Sequence, residues 1–276
     1  MSRILRVARA ALHKWEEPCI SGTRGSGAIF FSGCVLRCIF CQNRQISAEG
    51  HGKSVNPETL AKIMLDLQKQ GAHNINLVTP THFAQGIRSA LILAKERGMY
   101  LPVVYNCGGY EEVETLRMLE GLIDVWLPDF KYVSAELSFR YSKKADYPER
   151  AKAAISEMVR QAGTCSYDEE GLMTRGVLVR HLVLPGHTKE AKAVLQFLFH
   201  EYGNRIVYSI LSQYTPMPYV AAHAPELNRK LTKREYERVA AYALSLGIEN
   251  GYLQEGDAAR DSFIPAFDET GVWAET

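Results

Sequence analysis

Gly33-Cys34-Val35-Leu36-Arg37-Cys38-Ile39-Phe40-Cys41-Gln42-Asn43 places three cysteines within eight residues, at C-x₃-C-x₂-C spacing, directly after the apolar run 28–31. Thiols this close can converge on one metal centre, and thiolates suit iron–sulfur clusters or zinc. A closed structural zinc site takes four ligands, and no C-x₂-C partner or nearby Cys/His pair supplies the fourth. Three ligands suit instead a four-iron, four-sulfur cube with one iron left open to a substrate or cofactor. A cluster or zinc ion that only staples the loop is the plainer alternative.

Outward from this loop the chain alternates. Apolar runs at 28–31, 75–78, 101–105, 123–127, 177–184 and 206–211 are short and rich in Val, Ile, Leu and aromatics, as buried parallel strands are. Between them lie helical patterns. Leu60, Ile63, Met64 and Leu67 share one face, with Asn56 as N-cap, Pro57 at the first helical position and Gly71 as the stop. Further helices are expected over 83–97, 111–120 and 148–162, and from Thr188 onward. This alternation predicts an α/β fold, an incomplete (β/α)₆ barrel with helices outside a parallel sheet.

Residues 1–26 read as an irregular or partly helical extension, 27–215 as the barrel, and 216–276 as a C-terminal extension packed on it. The longest insertion runs from Tyr132 to Gly176 and either shapes substrate access or decorates the surface. Residues 212–228 look loop-like. A last helix opens with the capping box Thr232-Lys233-Arg234-Glu235 and closes at Gly247. The tail is expected to be docked, because Tyr252, Phe263, Ile264 and Phe267 would otherwise be exposed. No linker demands a second domain.

With 276 residues, 46% of them hydrophobic, and a formal net charge of +1, the composition is that of an ordinary globular protein. That balance gives no global argument for nucleic-acid binding. Six cysteines, three of them clustered, do not form a disulfide framework, and no run of eighteen apolar residues suggests a membrane span. The start of the chain lacks a signal-peptide pattern, so a reduced cytoplasm is the expected compartment. Cys19 reads as an isolated buried or free thiol. Nothing in the sequence assigns Cys165.

The C-x₃-C-x-aromatic-C pattern of Cys34, Cys38, Phe40 and Cys41 resembles the signature of the radical S-adenosylmethionine (radical SAM) superfamily, whose core is an incomplete (β/α)₆ barrel. The resemblance implies that the three cysteines hold one [4Fe-4S] cluster whose open iron chelates the amino and carboxylate groups of S-adenosylmethionine. One electron then splits the sulfonium, and the 5′-deoxyadenosyl radical so released abstracts hydrogen. Phe40 is expected near the adenine, a stacked core aromatic being the alternative. An electron donor such as flavodoxin or ferredoxin is implied as a partner.

Polar residues fall where β/α barrels place their chemistry, at the strands' C-terminal ends. Thr79-Pro80-Thr81-His82 follows the second strand, where many family members carry Gly-Gly-Glu for the methionine amino group; this chain has no Glu there. Thr79, Thr81 and His82 are the candidates in its place, with His82 alternatively an acid/base and a structural polar turn the plain reading. Asn106 is the candidate for the ribose hydroxyls, with Gly108 and Gly109 permitting close approach. Cys107 reads as a packed thiol, a hydrogen donor being the alternative. Asp129 and Lys131, two apart on an extended segment, point to one side and can hold the zwitterionic methionine end. Adjacent strand residues face opposite ways, so only one of Arg180 and His181 enters the barrel.

Asp-x-Lys, together with the strand-five run ending in Pro185-Gly186, resembles pyruvate formate-lyase activating enzyme and favours Arg180 as the inward residue. Other stretches, among them Trp15-Glu16-Glu17-Pro18-Cys19-Ile20-Ser21-Gly22 and Gly251-Tyr252-Leu253-Gln254-Glu255-Gly256, resemble a little-characterised branch named after that enzyme. The resemblance implies radical chemistry on a glycyl-radical enzyme. The alternatives are the same chemistry on a small molecule, peptide or RNA, or a non-enzymatic iron–sulfur or zinc module.

Overall fold

The computed structural model describes residues 4–254 and 265–273. Its strands are β1 (Leu5–His13), β2 (Ser26–Phe31), β3 (Lys53–Val55), β4 (Ile75–Val78), β5 (Val103–Cys107), β6 (Val125–Pro128), β7 (Ser166–Tyr167), β8 (Met173–Leu182), β9 (Val207–Leu211) and β10 (Gly251–Leu253). They form one open sheet in the order β10-β9-β8-β6-β5-β4-β2-β1-β3, with β7 paired to β8. From β2 to β10 every neighbour is parallel. The six expected strands are therefore β2, β4, β5, β6, β8 and β9, laid side by side in chain order. Every residue of β2, β4, β5, β6 and β9 is buried, which explains why they read as unbroken apolar runs.

The crossover segments carry α1 (Pro18–Ser21), α2 (Arg44–Ser47), α3 (Pro57–Lys69), α4 (Ala84–Glu96), α5 (Val113–Met118), α6 (Ala135–Ser142), α7 (Tyr147–Ala162), α8 (Thr188–Tyr202), α9 (Val220–His223) and α10 (Lys233–Leu246). Asn56 Oδ1 accepts from Thr59 N at 2.8 Å, capping α3 as its sequence requires. Thr232 and Glu235 form the reciprocal capping box of α10, and Gly247 ends it in the left-handed conformation (φ 90°).

Three features depart from the sequence reading. Residues 1–26 are not irregular: β1 runs antiparallel to both β2 and β3 and completes the sheet beyond its parallel part. Its two-residue alternation is hidden by a bulge between Val7 and Arg9, which buries the adjacent pair Val7 and Ala8 and shifts the pattern by one. The strand expected over 101–105 lies two residues later, because Pro102 has no N–H for the ladder. That shift carries Asn106 and Cys107 into the strand itself. The segment 212–228 contains the short helix α9 rather than loop alone.

The tail returns to the start of the chain. Glu269 N donates to Ala8 O (3.0 Å), Ala10 N donates to Thr270 O (2.9 Å), and Phe267 packs edge-on against Phe30. Glu255, Gly256, Phe263 and Ile264 lie outside the described residues.

Candidate active site

β2 delivers the chain into Gly33, whose φ of 90° turns it into the cysteine loop. The loop is pinned from two sides and closed by a turn of its own. Gly33 N donates to Ile46 O (2.8 Å), Ile39 N to Tyr141 O (2.8 Å), and Cys41 N to Cys38 O (3.0 Å). Cys34, Cys38 and Cys41 all line one cavity of about 250 Å³ at the C-terminal ends of the parallel strands. Each sulfur accepts one hydrogen bond: Cys34 from Leu36 N (3.4 Å), Cys38 from Ser142 Oγ (3.1 Å), Cys41 from Ser47 Oγ (3.4 Å). Burial pushes the Cys38 thiol up to about 12 and raises Cys41 as well. Such buried thiols lose their protons when a cation takes the proton's place, so the donor set fits a thiolate-bound metal group. Among the described residues, no three His, Cys, Asp or Glu side chains close around a single point as one ion requires. In a cube each thiolate binds its own iron, so its ligands need not meet at one point.

The cavity's opposite wall is charged. Arg180 donates three times: Nε to Asp129 Oδ1 (2.9 Å), Nη1 to Glu16 Oε2 (3.1 Å) and Nη2 to Asn106 Oδ1 (2.6 Å). Asn106 Nδ2 donates to Glu16 Oε1 (3.1 Å), and Lys131 Nζ donates to Asp129 Oδ2 (2.7 Å). Burial alone would raise the Asp129 carboxyl, but the Arg180 and Lys131 charges outweigh it and hold it below its usual value. Arg180 is thus the inward residue of its pair. His181 is buried on the other face, with Nδ1 2.8 Å from Phe130 O, and burial drives it down to about 4, so it is neutral packing.

Phe40 is buried beside the cysteines, edge-on to Tyr141 and Tyr214 with centroids 6.4 Å away in each case. At Gly108 a side chain would begin 2.6 Å from Leu36 Cδ1, and Gly109 (φ 82°) lies too close to the Asp129 carbonyl for any Cβ. Thr79 lines the cavity in a left-handed conformation (φ 59°) that branched residues seldom adopt. Thr81 and His82 do not line it. Thr81 Oγ1 turns to Glu111 Oε1 (2.7 Å), and His82 Nε2 meets the Ser32 carbonyl (2.7 Å) behind the cysteine loop. The turn after β4 is a 3-10 helix, so successive side chains there fan out rather than sharing one face.

Two carboxylates escaped the sequence reading. Glu16 comes from the segment after β1, and only the quoted stretch Trp15–Gly22 hinted at it. Glu111 falls at the start of the helix expected over 111–120, with no role assigned to it. It is buried beside Thr81 and Cys107, where desolvation, opposed by the Thr81 hydrogen bond, brings its carboxyl up to about 7.

Among proteins of known sequence, an uncharacterized protein of Methanocaldococcus jannaschii is 32% identical over 249 residues, covering 86% of this chain and 67% of its own. Solved structures share the fold at low identity. SuiB of Streptococcus suis, crystallised with S-adenosylmethionine, superposes with a TM-score of 0.54 at 14% identity over 81% of this chain. The chain spans about half of SuiB (48%). Methylornithine synthase (PylB) gives a TM-score of 0.51 at 13% identity, covering 85% of this chain and 74% of its own. The family model of the Radical SAM superfamily matches residues 28–198, from β2 through most of α8. With more than half of its length accounted for in this way, the chain belongs to the radical SAM superfamily.

Proposed function

We propose that this protein is a radical SAM enzyme with one [4Fe-4S] cluster on Cys34, Cys38 and Cys41 and S-adenosylmethionine in the adjoining cavity. The observation that carries the reading is that three thiols and a paired set of charges, Asp129, Lys131 and Arg180, open into the same 250 Å³ space. When bound, the reduced cluster supplies the electron that splits the sulfonium to methionine and a 5′-deoxyadenosyl radical able to take hydrogen from a substrate. The chain's own part is to bind, orient and shield. Lys131 presents its ammonium to the methionine carboxylate. Asp129, held ionised by its two cations, accepts from the amino group, with Thr79 at the same end. Asn106 faces the ribose beside Gly108 and Gly109, and Phe40 borders the adenine. The buried aromatics Tyr141 and Tyr214 behind Phe40 keep water from the cluster.

Asp129-x-Lys131 also supports the pyruvate formate-lyase activating enzyme-like branch, with a glycyl-radical enzyme as substrate. All six cysteines are free, which suits a reducing cytoplasm. Among the described residues no helix is long and apolar enough to cross a membrane. SuiB has also been crystallised with a precursor peptide, SuiA, at a TM-score of 0.56 to this chain and again with 48% of SuiB covered. That supports radical chemistry on a peptide as the second reading. Anaerobic reconstitution followed by chromatography for 5′-deoxyadenosine tests the enzyme assignment, and no release under reducing conditions would refute it. Electron paramagnetic resonance separates the two substrates: an organic doublet on a protein partner marks the activase, and its absence across glycyl-radical candidates removes that reading.

A further inference from the structure

Thr79 meets the cavity in a left-handed conformation (φ 59°), which strains a β-branched residue and lasts only where its neighbours over-determine it. Its N–H donates to Asn106 O (2.8 Å), which fixes the end of β4 but not the turn beyond. That turn, Thr81–Phe83, is a single 3-10 turn closed by Phe83 N donating to Pro80 O (2.9 Å). A helix so short has little stability of its own. Two side chains tie it down. His82 Nε2 meets Ser32 O (2.7 Å) at the entry to the cysteine loop, and Thr81 Oγ1 donates to Glu111 Oε1 (2.7 Å) in the loop after β5.

Glu111 is 2% exposed, and an apolar side chain would fill the same space without the desolvation that a carboxyl group suffers. What the carboxyl supplies is an acceptor. With its titration brought up to about 7, it is neutral at lower pH and charged at higher pH, and in either state an oxygen is open to the Thr81 hydroxyl. Gly109, whose φ of 82° and closeness to the Asp129 carbonyl admit no side chain, turns the chain between Asn106 and this acceptor. One strand end, β5, therefore fixes Thr79 twice, through the Asn106 carbonyl before it and through Glu111 after it.

We infer that Glu111 is a positioning residue for S-adenosylmethionine: through Thr81 it holds the turn after β4 so that Thr79 stays against the cavity, at the end that takes the α-amino group. This rests on the cofactor site proposed above. Glu111 does not itself line the cavity; it acts two residues away from Thr79 through one hydrogen bond. Releasing that bond lets Thr79 relax toward the backbone regions threonine prefers and withdraw from the amino group.

The test uses the anaerobically reconstituted full chain and equilibrium dialysis. Glu111→Leu and Thr81→Val each break the bond, and each should weaken S-adenosylmethionine binding by about tenfold. The double variant should bind no more weakly than the weaker single variant, because both remove the same interaction. Glu111→Gln keeps an acceptor and should stay within about twofold of the wild type. 5′-Deoxyadenosine has no methionine end, so every variant should bind it as the wild type does, with equal iron content. In the metal-free chain, amide hydrogen exchange over 79–83 should quicken in Glu111→Leu and Thr81→Val but not in Glu111→Gln. If Glu111→Leu does not fold, Thr81→Val and Glu111→Gln carry the comparison. Unchanged S-adenosylmethionine affinity, an equal loss for 5′-deoxyadenosine, or a loss in Glu111→Gln as large as in Thr81→Val overturns the positioning role alone. If the wild type binds neither compound, the cofactor site falls and the positioning role with it.

Discussion

Asp129 is shared by Lys131 and Arg180, one oxygen to each, while Arg180 reaches on to Glu16 and Asn106. Because Arg180 alone can keep Asp129 ionised, Lys131→Ala should load iron normally yet weaken S-adenosylmethionine binding by about tenfold or more, the loss of one charge-assisted bond. Equilibrium dialysis beside iron analysis checks this, and unchanged affinity would contradict the role given to Lys131. Glu111 works in the other direction. Its folded carboxyl titrates near 7 against about 4.5 in an unfolded chain, so the native state holds its proton more tightly. Stability contributed by the neutral form is complete below about 4.5 and is lost as pH rises through about 7, a penalty on the order of 3 kcal/mol. Glu111→Gln should therefore lose less stability than the wild type between pH 5 and pH 8, read as denaturant midpoints. The sequence made the first of these residues visible, because Asp-x-Lys is a local pattern. Glu111 and Glu16 depend on partners from distant segments, and no local spacing records that.

Elements were legible where one rule governed the whole segment. β4, β6 and β9 are buried on both sides, so their apolar runs were unambiguous. The caps of α3 and α10 follow from side-chain chemistry confined to four residues. Thr232→Ala should cost about 1 kcal/mol, since it removes the oxygen that accepts from Glu235 N, and the shift in thermal midpoint measures it. β1 was hidden because its strand character is imposed from outside. Alanine and arginine favour helix in isolation, and only the ladders to β2 and β3 make the segment extended. Thr81 and His82 lie off the cavity, as the plain reading of a structural polar turn has it, for a related reason: their facing depends on the 3-10 turn after β4, which propensity does not encode.

At the scale of the whole molecule, the order of the parallel strands follows the order of the chain, and that made the architecture readable before any contact was known. Where the order breaks, the reading broke too, at the antiparallel edge made by β1 and β3. The return of the tail to this edge has a temporal meaning. Backbone groups of Ala8 and Ala10, near the front of the sequence, find their partners in Glu269 and Thr270, more than 250 positions later. During synthesis at about 5–20 residues per second, β1 must wait for residues 269 and 270 to leave the ribosome before its outer margin is satisfied. A strand made well before its partners is thus completed late, and until then a nascent chain carries an unpaired edge that chaperones have reason to hold.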